Sequence, residues 1–151
     1  MTQKKYNILL ADDDLDDCLF FKEALEELSL SFSSSLQTVN NGEQLMNLLT
    51  TKSNDLPDIL FLDLNMPRKT GFDCLSEIKL NDDLKRLPVI IFSTSLDIQN
   101  INQLYEDGAT CYIQKPAEFS NLKKIILKSL QLVESTNYEQ PPKENFVINT
   151  G

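Results

Sequence analysis

Short apolar runs alternate with amphipathic helical patterns along most of the chain, and this alternation restricts the fold more than any other feature. The runs have the length of buried strands, and the segments between them carry apolar residues at three- and four-residue spacing. Strands are predicted at 6–11, 30–39, 59–62, 89–92 and 110–113, and helices at 15–28, 43–51, 71–80, 98–105 and 119–133. Five strand-helix repeats predict a five-stranded parallel sheet with helices on both faces, the doubly wound α/β fold.

The length of 151 residues suits a single domain, which we assign to residues 1–134. The helical pattern fails after this point. Residues 135–151 hold two adjacent prolines and scattered charges, and they are predicted to form an extended or disordered tail. Within that tail, the apolar residues 146–148 form a candidate docking patch.

Charge and composition exclude several classes of protein. A net charge of −9 is unfavourable for binding nucleic acid or an anionic membrane, because phosphate groups attract Lys and Arg. The chain has no His, which removes Ser-His-Asp catalysis, His-ligated zinc and a phosphohistidine role. Its three Cys form no C-x-x-C pair, and neither a signal peptide nor a transmembrane segment is predicted. These features predict a reduced, cytoplasmic location.

Four of the five predicted strands end in a residue that can take part in chemistry. Asp12 and Asp13 follow the first strand, Asp63 the third, Ser93 the fourth and Lys115 the fifth. Taken singly, each has a plain structural role as a turn residue or a solvated surface group. The carboxyl ends of parallel strands lie at one edge of a sheet, so the coincidence favours a shared site.

Together these residue types are the ones that phosphoryl transfer needs. Clustered carboxylates raise one another's pKa, and a hard divalent cation such as Mg²⁺ relieves their repulsion. Asp63 can attack phosphorus as a nucleophile. Lys115 and the metal would neutralise charge on the transferred oxygens, and the Ser93 hydroxyl would donate a hydrogen bond to one of them.

Four segments carry a resemblance to a known family: 9–14, 57–67, 88–95 and 108–116. In this order they resemble the receiver domain of two-component response regulators, and the match covers roughly residues 7–133. The chain is similar to the single-domain regulators and, more finely, to the stand-alone receivers that partner bacterial phytochromes and other sensor kinases. The resemblance implies a flavodoxin-like sheet with strand order 2-1-3-4-5.

The resemblance also implies a role for each acidic residue of the site. Asp63 matches the phosphoacceptor. Asp12 and Asp13 match the acid pair that holds Mg²⁺ together with Asp63, and the backbone carbonyl of Asn65 matches a further metal ligand.

The remaining site residues match the phosphoryl-binding and switch positions of the family. Ser93, Thr94 and Lys115 match phosphoryl-binding residues, although Thr94 is bulkier than the small residue in many receivers and would narrow access to the site. Ser93 and Tyr112 match the switch pair, in which phosphorylation draws in the hydroxyl and turns the ring inward. Structural positions of the family are matched by Pro67, Gly71 and Pro116, the last of which often follows a cis peptide bond.

A receiver of this kind is a signalling protein, whose own residues catalyse only phosphotransfer and slow dephosphorylation. The resemblance implies a sensor histidine kinase or a histidine phosphotransfer protein as the donor, and a downstream protein target that the sequence does not name. Neither a nucleic-acid nor a membrane partner is expected, because the chain is acidic. Relatives in the stand-alone subgroup often dimerise, which makes residues of about 97–133 a candidate homodimer face.

Two alternatives stay open. A phosphatase of the haloacid dehalogenase class also uses an Asp at a strand end, but it needs a carboxylate two residues later, where this chain has Asn65. A phosphorylation-independent interaction module on the same fold would not require the full set of acids, hydroxyl and lysine at the strand ends.

Overall fold

The computed structural model describes residues 5–51, 55–137 and 139–149, and these form a single parallel sheet flanked by helices. The elements are β1 (Lys5–Ala11), α1 (Leu15–Glu27), β2 (Ser33–Val39), α2 (Gly42–Thr51), β3 (Ile59–Leu62), α3 (Gly71–Leu80), β4 (Val89–Ser93), α4 (Ile98–Glu106), β5 (Cys111–Gln114), α5 (Phe119–Ser135) and β6 (Val147–Ile148). The strand order is β2-β1-β3-β4-β5-β6. The predicted order 2-1-3-4-5 is therefore confirmed, and a sixth strand is added beside β5.

The sheet separates two apolar cores, because successive side chains of a strand point to opposite faces. On one face α1 and α5 cover strand residues that include Ile8, Leu10, Phe61, Ile90 and Phe92. On the other face α2, α3 and α4 cover strand residues that include Leu9, Leu60, Leu62, Ile91 and Tyr112. All four residues of β3 and all five of β4 are buried, which explains why these strands read as continuous apolar runs.

Aspartate side chains fix where α1 and α4 begin, and a glycine follows the end of α4. The Asp14 carboxylate accepts hydrogen bonds from the backbone N–H groups of Asp16 (2.9 Å) and Asp17 (3.2 Å), so it caps α1. Asp97 caps α4 in the same way. Gly108 follows α4 with φ of 100°, a conformation that glycine adopts without steric cost, and it ends the helix.

The C-terminal segment packs on the domain in its described part, residues 139–149, which contains a 3-10 turn at Lys143–Asn145 before a short strand. β6 pairs in parallel with β5, with Val147 opposite Tyr112 and Ile148 opposite Ile113. Phe146 is only 1% exposed and joins the core on the α4 side. The apolar residues that the sequence identifies as a docking patch therefore contact the chain's own sheet.

None of the helices in the described ranges is both long enough and apolar enough to cross a membrane.

Candidate functional site

The backbone ladder continues one residue past three strands, and this brings their terminal residues to one edge. The N–H of Asp12 donates to the Val39 carbonyl (3.0 Å), and the N–H of Asp63 donates to the Ala11 carbonyl (2.9 Å). The N–H of Lys115 donates to the carbonyl at the end of β4 (2.7 Å). The predicted convergence of these strand ends is thus present in the fold.

Three carboxylates meet at this edge. Asp12, Asp13 and Asp63 each offer an oxygen, and these oxygens lie within 4.8 Å of one another. Asp12 is fully buried and Asp63 is 5% exposed, whereas Asp13 is exposed. The cluster therefore has two acids inside the protein and one at the entrance.

Lys115 supplies a positive charge to this cluster. Its ammonium lies 2.8 Å from Oδ2 of Asp12, 2.8 Å from Oδ2 of Asp17 and 3.8 Å from Oδ1 of Asp63. The contact with Asp17 is a hydrogen bond. The contact with Asp12 is a buried ion pair. The lysine also lies 5.4 Å from the centroid of the Phe92 ring.

Burial and neighbouring like charges change the pKa values of the acids. Burial raises the pKa of Asp63 to about 6; Lys115 opposes this increase, and the neighbouring Asp12 adds to it. Burial likewise raises the pKa of Asp12, against the effect of its contact with Lys115. Burial alone would lower the pKa of Lys115, but the contacts with Asp12 and Asp17 outweigh it and hold that pKa above its usual value.

The hydroxyl groups predicted for the switch are linked through Ser95. Ser93 is fully buried, and its Oγ accepts a hydrogen bond from the Ser95 N–H (3.3 Å) and lies 3.3 Å from the Ser95 hydroxyl. The Tyr112 side chain is also fully buried, and its hydroxyl donates to the Ser95 carbonyl (2.5 Å). Thr94 is exposed and its carbonyl accepts a hydrogen bond from Gln114 (3.3 Å). The Tyr112 ring is thus already inward in this structure.

Gly71 allows the backbone to approach Asp63 closely. A Cβ atom added to Gly71 would lie 2.3 Å from the Asp63 carbonyl oxygen, and the Gly71 N–H donates to the Leu64 carbonyl (3.0 Å). A hydrogen bond from the Asn65 backbone to the Asp63 carboxylate lowers the pKa of that acid. The predicted use of the Asn65 carbonyl as a metal ligand stays a prediction.

The two prolines of the predicted site lie in its loops. Pro67 is exposed, its carbonyl accepts a hydrogen bond from Lys69 (2.7 Å), and the intervening Arg68 has φ of 68°. Pro116 is half-buried beside Lys115. The expected cis bond before Pro116 is wrong, because none of the described peptide bonds is cis and trans is the lower-energy isomer.

Asp17 is the site residue that the sequence did not reveal. The helical pattern of α1 places it with the solvent-facing acids, yet it is half-buried and shares the ammonium of Lys115 with Asp12. The signal in the sequence was its position in the first turn of α1, directly after the acid pair. The sequence did not reveal Ser95 either, because two of its contacts use its backbone N–H and carbonyl, which any residue type would provide.

This arrangement can bind a cation and a phosphoryl group side by side. The Lys115 ammonium lies near the carboxylates of Asp12, Asp17 and Asp63, and Asp13 adds a fourth carboxylate to the cluster, which leaves an excess of negative charge. Oxygen ligands in such a cluster are those that hard divalent cations prefer. The carboxylates of Asp12, Asp13 and Asp63 lie within ligand distance of one another and exceed the charge that Lys115 can neutralise, so the residues present fit a divalent metal ion.

Comparison with known proteins gives the same family from sequence and from structure. Residues 8–127 match the model of the response regulator receiver domain. The chain is 32% identical to the response regulator Rcp1 of Synechocystis sp. over 123 residues, which cover 79% of this chain and 82% of Rcp1.

Solved structures of phytochrome response regulators share the fold. The phosphorylated cyanobacterial phytochrome response regulator RcpA is 32% identical, with a TM-score of 0.76, and the match covers 89% of this chain and 96% of RcpA. The Mn²⁺-bound form of Rcp1 is 31% identical, with a TM-score of 0.71, and the match covers 90% of this chain and 96% of Rcp1. The chain therefore belongs to the response regulator receiver domain family of two-component signalling.

Proposed function

We propose that this protein accepts a phosphoryl group on Asp63 and transmits a signal through protein contacts. The observation that carries the proposal is the meeting of Asp12, Asp13 and Asp63 with the ammonium of Lys115 at one edge of the sheet. Response regulators of this family act in two-component signalling in general, and a phosphorylated relative of the same fold supports the assignment.

In this proposal Asp12, Asp13 and Asp63 hold a divalent cation, and the Asn65 carbonyl completes the protein ligands. Mg²⁺ suits an all-oxygen set, and the Mn²⁺-bound form of Rcp1 supports divalent binding in a relative. When bound, the ion neutralises negative charge on phosphoryl oxygens. The chain's own acids position it.

The reaction forms a bond between a carboxylate oxygen of Asp63 and phosphorus, while the bond from phosphorus to the donor's imidazole nitrogen breaks. That nitrogen leaves with the electron pair and takes up a proton from water. Lys115 lies close enough to Asp63 to pair with the phosphoryl oxygens, and Ser93 donates its hydroxyl to one of them. Hydrolysis of the acyl phosphate later returns Asp63 and inorganic phosphate.

A protein donor can dock next to this site on exposed apolar residues of α1. Leu15, Leu19 and Phe20 are all at least half exposed, and they lie in the helix that starts at the acid cluster. Large apolar side chains that cluster on a surface favour protein contact. The donor in this proposal is a sensor histidine kinase or a histidine phosphotransfer protein, because receivers of this family interact with such partners in general.

The phosphatase alternative is disfavoured by residue 65. An amide at that position cannot act as the general acid or base that turnover of an aspartyl phosphate needs, so the phosphoryl group persists long enough to be a signal. The interaction-module alternative has no specific observation in its favour, since it leaves two buried acids and their lysine without a use.

Intact-mass measurement after incubation with acetyl phosphate and Mg²⁺ tests the proposal. The parent protein should gain one phosphoryl group, whereas Asp63→Asn should gain none and a chelator should abolish the gain. Asp83→Asn is the matched control, because Asp83 is an exposed acid outside the site. A parent protein that gains no mass from acetyl phosphate or from a phosphorylated histidine kinase would contradict the proposal, and steady hydrolysis of a free phosphoester would point to the phosphatase.

A further inference from the structure

The free edge of β2 is a part of the sheet that the proposed function does not use. β2 is the outermost strand on its side, and among the described residues only β1 pairs with it. The opposite edge of the sheet differs, because β6 covers β5 there. All 7 residues of β2 pair with β1 in one uninterrupted register. Its free side therefore presents a regular row of backbone groups to any strand that lies beside it.

Alternate residues of β2 direct their backbone groups to this free edge. The Val39 carbonyl accepts a hydrogen bond from the N–H of Asp12 (3.0 Å), the residue that follows β1, so the backbone groups of Val39 face β1. Neighbouring residues of a strand direct their N–H and C=O groups to opposite sides. Those of Ser34, Leu36 and Thr38 therefore point away from β1, and they are spaced symmetrically about Leu36.

The β2 edge lacks the features that usually keep an open strand from pairing with another chain. Such edges are commonly blocked by charged side chains, by proline or by a bulge. Residues 28–42, which include β2, contain neither a charged residue nor a proline, although 25% of the whole chain is charged. The continuous register of β2 with β1 also leaves no place for a bulge. The strand is therefore free to accept a partner.

Open space lies beside β2 on both faces of the sheet. On the face covered by α1, a cavity of about 700 Å³ is lined by Leu36 together with Leu19 and Leu25 of the helix. On the face covered by α2, a cavity of about 420 Å³ is lined by Gln37 together with Leu48 of that helix. The side chains of an added strand would alternate between the two faces, so each face has room for its share of them.

We propose that β2 pairs with β2 of a second copy of this chain, antiparallel about a two-fold axis that passes by Leu36. In this register Leu36 lies opposite Leu36 of the partner subunit, and Ser34 lies opposite the partner's Thr38. These are the residues whose backbone groups point outward, so each opposed pair can exchange two backbone hydrogen bonds. A leucine pair at the axis with hydroxyl pairs on either side is a favourable set of cross-strand neighbours.

Charge favours a second copy over another kind of partner at this edge. Each chain carries a net charge of −9, so two copies repel each other at most points of their surfaces. Residues 28–42 form the longest stretch of the sequence without charge, and an edge within this stretch avoids that repulsion. A two-fold interface must also be complementary to itself, which the symmetric spacing of outward groups about Leu36 provides.

Antiparallel pairing keeps both acid clusters accessible. Asp12, Asp13 and Asp63 lie at the edge where the parallel strands end, and the partner's strands run in the opposite direction. The two clusters would therefore lie on opposite sides of the joined sheet, away from the axis. The pairing uses the backbone of β2 alone and does not rest on the proposed function. It also differs from the candidate homodimer face at about 97–133.

Sedimentation of variants at residue 36 tests the register of this pairing on the full chain. The parent should pass from monomer to dimer as its concentration rises, since a narrow interface dissociates on dilution. Leu36→Lys and Leu36→Glu should each raise the dimer Kd by about tenfold or more, because like charges would meet at the axis. An equimolar mixture of the two variants should associate again. Gln131→Lys and Gln131→Glu, at an exposed position of α5, are the matched controls and should behave as the parent.

Amide hydrogen exchange resolved by residue tests which backbone groups pair. Raising the concentration of the parent should slow exchange of Ser34, Leu36 and Thr38 by about fivefold or more, as intermolecular bonds protect them. Ser35 and Gln37, which face β1, should not change. Thr38→Pro removes one outward N–H and leaves the bonds to β1 intact, so it should weaken the dimer even where a charge at residue 36 impairs folding.

Several results would overturn the pairing of β2 with its own copy. A parent that stays monomeric at about 1 mM has no such interface of measurable strength. Folded Leu36 variants that dimerise like the parent, or whose mixture fails to associate, contradict the axis at residue 36. A dimer that protects amides of residues 97–133 and not those of β2 uses the other face. A monomer whose β2 amides are protected only by a different protein assigns the edge to that protein instead.

Discussion

The ammonium of Lys115 contacts several carboxylates, and the distances between them show which ones it pairs with in this structure. Its ammonium is 2.8 Å from both Asp12 and Asp17 but 3.8 Å from Asp63. In the proposed function, a phosphoryl group on Asp63 would use the same ammonium. Asp17 would then compete with the phosphoryl group for Lys115, which would give this half-buried residue an influence on the reaction.

We expect Asp17→Asn to speed phosphorylation by acetyl phosphate by about two- to fivefold, because a partly exposed ion pair is worth roughly 1 kcal/mol or less. The time course of intact mass measures this rate. Asp16→Asn is the matched control, since this substitution removes the same charge from the same helical turn. Asp16 forms no ion pair within the described part of the chain. Equal acceleration in both variants would mean a general charge effect and would contradict the competition. Asp17→Glu should return the rate toward that of the parent.

Gly71 supports the predicted nucleophile through its lack of a side chain. Gly71→Ala would place a Cβ 2.3 Å from the Asp63 carbonyl oxygen, so the backbone must shift. We expect the free energy of unfolding to fall by about 1–3 kcal/mol, as for other overpacked sites, and Mg²⁺ affinity to fall with it. Urea denaturation and a Mg²⁺ titration measure the two effects. Ser76→Ala, at an exposed position of α3, should change neither, and an unchanged Gly71→Ala protein would show that the loop adapts freely.

At the scale of single elements, the start of α1 connects helix stability to the acid cluster. Asp14 caps the helix with its carboxylate, and its own N–H donates to Oδ1 of Asp12 (3.0 Å). We expect Asp14→Ala to cost about 1 kcal/mol of stability and to weaken Mg²⁺ binding, because the first turn positions Asp12, Asp13 and Asp17. Thermal or urea unfolding and a Mg²⁺ titration test this.

Two controls separate the cap of α1 from its charge and from capping in general. Asp14→Asn keeps a capping oxygen and removes the charge, so it should retain most of the stability. Asp97→Ala removes the equivalent cap of α4 and should cost a similar amount of stability without affecting Mg²⁺ affinity. Equal loss of Mg²⁺ affinity in Asp14→Ala and Asp97→Ala would contradict a specific role for α1.

The elements that the sequence predicts best are those whose pattern is local. β3 is predicted at its observed bounds because each of its residues is buried, and α3 because its apolar spacing and glycine start are clear. The prediction places the second strand from residue 30, whereas β2 begins at Ser33, because a 3-10 turn at Leu28–Leu30 continues from α1. The apolar residues 146–148 indicate a contact but not a strand, since the strand character of β6 comes from pairing with β5 and Phe146 stacks on Tyr105.

In the candidate site, too, some features follow from the sequence pattern and others depend on contacts between distant parts of the chain. Asp12, Asp13 and Asp63 could be placed together because strand ends of a parallel sheet share one edge. The link from Lys115 to Asp17 could not, because it joins the loop after β5 to a helix turn near the other end of the chain. Helical periodicity identifies a polar face but not which member of that face turns toward a distant cation.

For the whole molecule, the site concentrates negative charge in a chain that already carries −9. Burial raises the pKa of Asp63 from its ordinary 3.8 to about 6, so the folded state holds this proton more tightly than the unfolded state does. Proton binding by Asp63 therefore stabilises the folded state; this contribution is complete below about pH 4 and is lost as pH rises through about 6. At neutral pH without metal, the charged carboxylate therefore destabilises the fold.

We expect chelator-treated Asp63→Asn to be more stable than the parent at pH 7, by up to about 3 kcal/mol, because one pKa unit corresponds to about 1.4 kcal/mol. The difference should shrink as pH falls from 6 to 4, since protonation neutralises Asp63 in the parent. Urea denaturation across this pH range measures it. Saturating Mg²⁺ should stabilise the parent more than the variant at pH 7, because binding to the folded state adds stability and the variant lacks one carboxylate ligand.

The matched control for this pH dependence is Asp83→Asn, which removes one charge from an exposed position. If the fall in stability above pH 4 reflected only the net charge of the molecule, both variants would be stabilised equally at pH 7. If only Asp63→Asn were stabilised at pH 7, the loss of stability would come from the buried cluster, where Asp12 and Lys115 lie next to Asp63. Parent and Asp63→Asn curves that stay parallel from pH 4 to 7 would contradict the raised pKa, and with it the strain that a divalent cation would relieve.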